Sequence, residues 1–145
     1  MKNYKDLIIL IAEDDDGHAE LIKEGLESSG VCNPILRFKD GEEIWQFLSG
    51  TGKAEVRDNS KAYLLLLDIN MPKMDGVEVL RRIKSDENIK EIPVIMLTTT
   101  DDPREVEACY KIGCNMYVTK PVKFDNFAEI LKRMGLFIQI VKVIN

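Results

Sequence analysis

The sequence predicts an α/β fold in which five strands alternate with five helices and the strands form one parallel sheet. Three observations lead to this prediction. Short apolar runs recur along the 145-residue chain, stretches with helical periodicity separate them, and the runs lack the polar alternation of a half-exposed strand. Strands that are covered on both faces require helices on both sides of the sheet. The expected architecture is therefore a doubly wound (βα)5 fold with right-handed crossovers.

The expected strands are short apolar runs bounded by polar, glycine or proline residues, as buried strands usually are. These runs are residues 7–12, 35–38, 64–67, 94–97 and 116–118. The second run gives the weakest strand prediction of the five. Residues 49–62, before the third run, are rich in glycine, serine and charge, which predicts a long surface loop.

Helical stripes, with apolar residues three and four positions apart, fill the intervals between the runs. Their members are Ala19, Ile22 and Leu26; Ile44, Phe47 and Leu48; Val79, Leu80 and Ile83; and Val106, Cys109 and Tyr110. The fourth helix has a clear start, because Asp102 can cap it, Pro103 suits its first position and Glu105 suits its third. A fifth helix is expected to open near Asp125 and run towards the C-terminus.

Composition is that of a single globular domain spanning residues 1–145, with 45% apolar and 31% charged residues. Twenty-five acids against twenty bases give a net charge of −5, which opposes direct binding to nucleic acid or to an anionic membrane. The 3 cysteines form no C-x-x-C pair, so reduced thiols and a cytoplasmic location are expected. The first apolar stretch is too short for a signal peptide or a membrane span.

Polar side chains follow four of the five predicted strands. Glu13 and Asp14 follow the first run, Asp68 the third, Thr98 the fourth and Lys120 the fifth. The carboxyl ends of parallel strands share one edge of a sheet, so these side chains are expected to meet in one crevice. Taken alone, Asp68 could simply cap the next helix, and the acids after the first run could form a solvated turn.

Gathered carboxylates would repel one another by roughly 4 kcal/mol per pair at about 4 Å and an effective dielectric near 20. Lys120 can neutralise one acid, and a bound cation can neutralise the others. The candidate ligands are all oxygens, apart from His18 nearby, so the expected cation is hard: Mg²⁺, with Mn²⁺ as the alternative. His18 itself is expected to be a surface residue rather than a metal ligand.

Four motifs surround these residues: Glu13-Asp14 after the first run, LLLLDINMPKMDG containing Asp68, VIMLTTT containing Thr98, and YVTKP containing Lys120. Together they resemble the receiver domain of two-component response regulators. In such a domain His18 is expected to be a surface residue rather than a phosphorelay site. The resemblance covers about residues 7–131 and implies a flavodoxin-like fold with strand order 2-1-3-4-5. It also implies that Asp68 accepts a phosphoryl group from a sensor histidine kinase or a phosphotransfer protein. The chain would then not be a turnover enzyme.

The same resemblance implies a metal site. Asp14, Asp68 and the backbone carbonyl of Asn70 would hold Mg²⁺ directly, and Glu13 would act through water. Some members of the family have an aspartate where this chain has Glu13, and the longer side chain leaves the role of that position open.

The resemblance further implies a switch. Lys120 would pair first with Asp68 and then with the phosphoryl group, and the Lys120–Pro121 peptide would be cis. Thr98 would donate its hydroxyl to a phosphoryl oxygen, and Tyr117 would rotate into the space that Thr98 leaves. The alternative for Tyr117 is a half-buried strand aromatic without a switching role.

After residue 131 we expect no output domain, so the signal would pass through contacts with a downstream protein target. Residues 135–145 are polar only at three positions, which predicts an extended apolar C-terminal helix. We expect Leu136, Ile140 and Val143 to form a homodimer interface, the alternative being a deeply buried terminal helix. This apolar end and the 49–62 loop also resemble the small response regulators paired with phytochrome-type kinases.

Two other classes share parts of this pattern. A Mg²⁺-dependent phosphatase with an aspartyl nucleophile would need a second acid at Asn70 as general acid and base. A flavodoxin-like nucleotide or flavin binder would need a glycine-rich phosphate loop after the first strand, where this chain has acids.

Overall fold

The computed structural model of the chain describes residues 7–53 and 55–120, together with residues 129 and 133. Strands and helices alternate through this part, as predicted. In chain order they are β1 (Ile8–Ala12), α1 (Asp16–Ser28), β2 (Ile35–Phe38), α2 (Gly41–Ser49), β3 (Tyr63–Leu67), α3 (Gly76–Ser85), β4 (Val94–Thr98), α4 (Pro103–Ile112) and β5 (Met116–Thr119).

All strand pairs in the sheet are parallel, and the order is β2-β1-β3-β4-β5, which confirms the predicted topology. The three inner strands β1, β3 and β4 are buried at every position. The edge strands β2 and β5 are half-buried throughout, which explains why the second apolar run is weak. One face of the sheet packs against α2, α3 and α4, and α1 packs against the other.

The predicted stripes of α1, α2 and α3 are buried in full. The predicted stripe of α4 was wrong in part, because only Cys109 is buried, Val106 is half-buried and Tyr110 is 49% exposed. Helix α4 lies towards the edge strand β5. There the hydroxyl of Tyr110 accepts a hydrogen bond from the backbone N–H of Tyr117 at 3.0 Å instead of entering the core.

Each of the helices α1 to α4 begins with an aspartate N-cap that accepts a hydrogen bond from a backbone N–H of the first turn. The caps are Asp15, Asp40, Asp75 and Asp102. A cap of this kind stabilises a helix by about 1 kcal/mol. Pro103 occupies the start of α4, as predicted.

The predicted surface loop after α2 is tied to the body of the protein. The guanidinium of Arg57 donates from Nε to the carbonyl of Leu48 at 2.7 Å, and its backbone N–H donates to the carbonyl of Phe47 at 3.0 Å. The hydroxyl of Tyr63 accepts from the backbone N–H of Asp58 at 2.8 Å. These contacts hold the loop against the end of α2 and the start of β3.

Several predictions fall on residues outside those described. They are the cis peptide at Pro121, the start of the fifth helix near Asp125, and the interface residues Leu136, Ile140 and Val143. Glu129 and Arg133 are helical, and their side chains form an ion pair of 3.4 Å. No helix in the described part of the chain is both long and apolar enough to cross a membrane.

Candidate functional site

The sheet brings the predicted site residues to one edge. Glu13 and Asp68 directly follow β1 and β3, Thr98 ends β4 and Lys120 follows β5. Backbone bonds extend the parallel pairing past the strand ends: Asp68 N–H donates to the carbonyl of Ala12 at 3.1 Å, and Lys120 N–H donates to that of Thr98 at 2.7 Å. The strand ends that carry these residues therefore lie side by side at this edge.

Three carboxylates form a cluster at this edge. Each of Glu13, Asp14 and Asp68 offers an oxygen within 4.8 Å of the other two. Glu13 and Asp68 are buried, whereas Asp14 is exposed. The Asp14 side chain makes no hydrogen bond or ion pair with another described residue. An all-oxygen donor set with an open side fits a hard divalent cation.

Lys120 is the cation buried against this cluster. Its ammonium donates a hydrogen bond to Oε1 of Glu13 and lies 3.4 Å from Oδ2 of Asp68. The contact with Glu13 is the shorter of the two. The ammonium of Lys120 therefore contacts two buried acids, and Asp14 lies beside them. The cluster carries more negative charge than Lys120 neutralises.

The pKa of Glu13 records this imbalance. It is raised from an ordinary 4.5 to about 7, with burial as the largest cause and the neighbouring Asp68 as a further one, while Lys120 acts in the opposite direction. The raising effects outweigh the lowering effect of Lys120 because the carboxyl group is removed from water. Additional positive charge at the cluster would favour the ionised form of Glu13.

The loop after β3 holds Asp68 in place. Oδ1 of Asp68 accepts a hydrogen bond from the backbone N–H of Ile69 at 2.8 Å, and the carbonyl of Ile69 accepts from Gly76 N–H at 2.8 Å. Asn70 is exposed, and its side-chain amide lies 3.4 Å from the hydroxyl of Thr100. The chain therefore folds back tightly from Asp68 to the start of α3.

Gly76 is required for this tight return. A Cβ at this position would lie 2.0 Å from the carbonyl oxygen of Asp68, a backbone atom that cannot move aside. We predict that Gly76→Ala lowers the free energy of unfolding by about 3 kcal/mol in urea denaturation. Gly52→Ala is the control, because its Cβ would meet only ordinary contacts at 3.4 Å and beyond. Equal stability of the two variants would contradict the prediction.

Thr98 and Tyr117 both contact the loop between β4 and α4. The Thr98 side chain is fully buried, and its Oγ1 accepts from the backbone N–H of Thr100 at 3.5 Å. The half-buried Tyr117 donates its hydroxyl to the carbonyl of Thr100 at 2.6 Å. Burial raises the pKa of Tyr117 to about 12, so this hydroxyl remains a donor near neutral pH. The same short loop thus joins the two predicted switch residues.

Sequence reasoning missed Arg37, although a charged residue within the apolar run of β2 is an unusual signal. Its Nε and Nη2 donate to the backbone carbonyl of Glu13 at 2.9 and 2.8 Å, and its Nη1 donates to Asp16 at 2.7 Å. Arg37 therefore fixes the loop that carries the acids. The expectation for His18 was incomplete, since this residue is partly exposed but its Nδ1 lies 3.5 Å from Oε1 of Glu13.

Comparison with known proteins identifies the family. Residues 9–132 match the response regulator receiver domain. The chain belongs to this family. It is therefore a receiver-domain response regulator of two-component signalling, and its sheet order is that of the flavodoxin-like receiver fold.

The chain is similar to three known response regulators or receiver domains. The response regulator Rcp1 of Synechocystis sp. is 37% identical over 130 residues, which cover 90% of the chain and 87% of Rcp1. The Mn²⁺-bound structure of Rcp1 aligns with a TM-score of 0.82. A receiver domain from Rhodospirillum rubrum aligns with a TM-score of 0.83 at 39% identity, covering 92% of the chain and 94% of that domain. The phosphorylated cyanobacterial phytochrome response regulator RcpA aligns with a TM-score of 0.79 at 34% identity, covering 90% of the chain and 91% of RcpA.

Proposed function

We propose that this receiver domain accepts a phosphoryl group on Asp68 from the phosphohistidine of a sensor histidine kinase, or of a phosphotransfer protein. The observation that carries the proposal is the position of Asp68 at the end of the central strand β3, within the acid cluster and 3.4 Å from the ammonium of Lys120. The similarity to RcpA, a phosphorylated phytochrome response regulator, supports the proposal and makes a phytochrome-type kinase the first donor to test.

The residues at this edge fit a divalent cation, because the cluster offers three carboxylate oxygens within 4.8 Å of one another. Asp14, Asp68 and the carbonyl of Asn70 would hold Mg²⁺, or Mn²⁺, and Glu13 would act through water. The cation would offset negative charge on the phosphoryl oxygens. The similar response regulator Rcp1 has a Mn²⁺-bound structure, which supports this assignment.

The chain's own residues supply the remaining steps. A carboxylate oxygen of Asp68 attacks phosphorus and forms an acyl phosphate, while the bond from phosphorus to the donor histidine breaks and its electron pair stays on the ring nitrogen. Lys120 orients Asp68 before transfer and pairs with the phosphoryl group afterwards. The Thr98 hydroxyl donates to a phosphoryl oxygen.

The output would follow from the movement of Thr98. Because Thr98 and Tyr117 both bind to Thr100, a shift of Thr98 changes the loop that holds the Tyr117 hydroxyl. The surface formed by α4 and β5 would then change shape and select a downstream protein target in the cytoplasm. In this role the domain carries out only its own phosphoryl transfer and hydrolysis and is not a turnover enzyme. Its net charge of −5 favours protein partners over direct contact with nucleic acid.

Intact-mass analysis with acetyl phosphate and Mg²⁺ tests the proposal. A receiver domain is expected to gain one stable phosphoryl increment. A phosphatase would consume the phosphodonor continuously, and a flavin or nucleotide binder would leave both the donor and its own mass unchanged. Either of the last two results would end the proposal.

We further propose that the domain forms a homodimer through Leu136, Ile140 and Val143, more strongly when phosphorylated. Burying each of these side chains is worth roughly 1.5 to 3 kcal/mol before the cost of association is subtracted. Ile140→Asp is therefore predicted to give a folded, phosphorylatable monomer. Sedimentation of wild type and variant, with and without beryllofluoride, provides the measurement. A wild type that is monomeric in both states would end the dimer hypothesis, and an unfolded variant would place the segment in the core.

A further inference from the structure

We propose that His18 is a positioning residue for Lys120. Its neutral imidazole accepts a hydrogen bond at Nδ1 from the Lys120 ammonium and keeps that ammonium beside Asp68. The inference rests on the proposed function, because the position of the ammonium matters for phosphoryl transfer only if Asp68 is the acceptor.

The geometry around Lys120 leads to this assignment. An ammonium has three N–H donors and no acceptor, and Lys120 is buried, so each donor needs a partner. Among the described residues three acceptors surround its Nζ. They are Oε1 of Glu13, Oδ2 of Asp68 at 3.4 Å and Nδ1 of His18 at 3.5 Å. His18 is thus the third acceptor and the one without a negative charge.

The charges around the ring select its tautomer. Nδ1 of His18 lies 3.5 Å from Nζ of Lys120 and 3.5 Å from Oε1 of Glu13. A proton on Nδ1 would face an ammonium that cannot accept it. A lone pair on Nδ1 matches the ammonium, which has no acceptor of its own and already donates to the Glu13 oxygen. The proposed contact with Lys120 therefore places the proton of the neutral ring on Nε2.

The start of α1 sets the position of the ring. The backbone N–H of His18 donates to Oδ1 of Asp15, the N-cap of this helix, at 2.9 Å. The side chain is 44% exposed, so the ring lies at the rim of the site with Nδ1 towards Lys120. Without this acceptor the ammonium would shift towards Glu13, its closer partner, and away from the Asp68 oxygen that it has to orient.

Nitrogen NMR tests the contact without any phosphorylation. The chain has a single histidine, so selective ¹⁵N labelling gives one unambiguous pair of ring resonances. In alkaline buffer we expect a bare Nδ1 and a protonated Nε2, and we expect Lys120→Met to shift the Nδ1 resonance. Lys111→Met is the control, since Lys111 is an exposed lysine paired with Glu107 at 3.2 Å. A protonated Nδ1, or an Nδ1 chemical shift that is the same in Lys120→Met as in the wild type, would overturn the proposal.

Matched substitutions test the consequence for the reaction. Asparagine can place its Oδ1 where histidine has Nδ1, whereas leucine keeps the bulk and offers no acceptor. We expect His18→Leu to slow labelling by acetyl phosphate about fivefold, and His18→Asn to stay within about twofold of wild type. Equal rates in all three proteins, or an equal loss in both variants, would overturn the positioning role. A wild type that takes no label would instead overturn the proposed function, and the NMR result would then decide the Lys120 contact alone.

Discussion

The Asp68→Asn variant is expected to take up no phosphoryl group from acetyl phosphate or from a histidine kinase. An amide nitrogen has its lone pair delocalised and cannot form the acyl phosphate that a carboxylate oxygen forms. The variant should still fold, because an asparagine oxygen can accept the hydrogen bond that Asp68 receives from the backbone N–H of Ile69 at 2.8 Å. The loss should therefore be one of chemistry and not of structure.

Intact-mass analysis in the presence of Mg²⁺ measures this loss. Asp101→Asn is a matched control, since Asp101 is an exposed acid in the loop after β4 and the substitution removes the same charge. The control should label like the wild type. Full labelling of Asp68→Asn would show that another residue is the acceptor, and failure of both variants would point to a general electrostatic effect.

Much of this site could be predicted because parallel strands end at a common edge. Asp68 follows five buried residues of β3, and Thr98 closes the equally buried β4, so the sequence alone locates both at that edge. Their separation of thirty residues in the chain does not matter once the strands pair. The roles of these residues in phosphoryl transfer come from the family resemblance and stay predictions.

The relative burial of adjacent acids could not be predicted. Glu13 and Asp14 are neighbours in a run of acids, yet Glu13 is 1% exposed and pairs with Lys120 while Asp14 faces solvent. Which of the two turns inward depends on the path of the chain beyond β1. That path is fixed by Arg37, whose guanidinium binds the carbonyl of Glu13 from the neighbouring strand.

The buried stripe that helical periodicity predicted for α4 was wrong in part, for a different reason. Spacing gives the angular position of a side chain on a helix but not the width of the surface that the helix covers. Helix α4 buries only Cys109. A neighbouring position, Tyr110, therefore remains exposed and uses its hydroxyl to accept a hydrogen bond from β5.

The difference between Glu13 and Asp14 leads to a prediction about the metal. Glu13 pairs with Lys120, whereas the side chain of Asp14 has no cationic partner among the described residues. We expect Asp14→Ala to weaken Mg²⁺ binding on the order of a hundredfold, and Glu13→Gln to weaken it by about tenfold or less. The extent of Asp68 phosphorylation should likewise fall more in Asp14→Ala than in Glu13→Gln.

Titration of Mg²⁺ against amide NMR spectra measures these affinities. Asp16→Asn serves as the charge control, because it removes one negative charge two residues from Asp14 and leaves an oxygen for the Arg37 contact of 2.7 Å. If the effect were only long-range electrostatics, Asp16→Asn would weaken binding as much as Asp14→Ala. Unchanged affinity in Asp14→Ala would rule out its role as a ligand. A larger loss in Glu13→Gln would mean that the buried acid, after release from Lys120, provides the main contact with the cation.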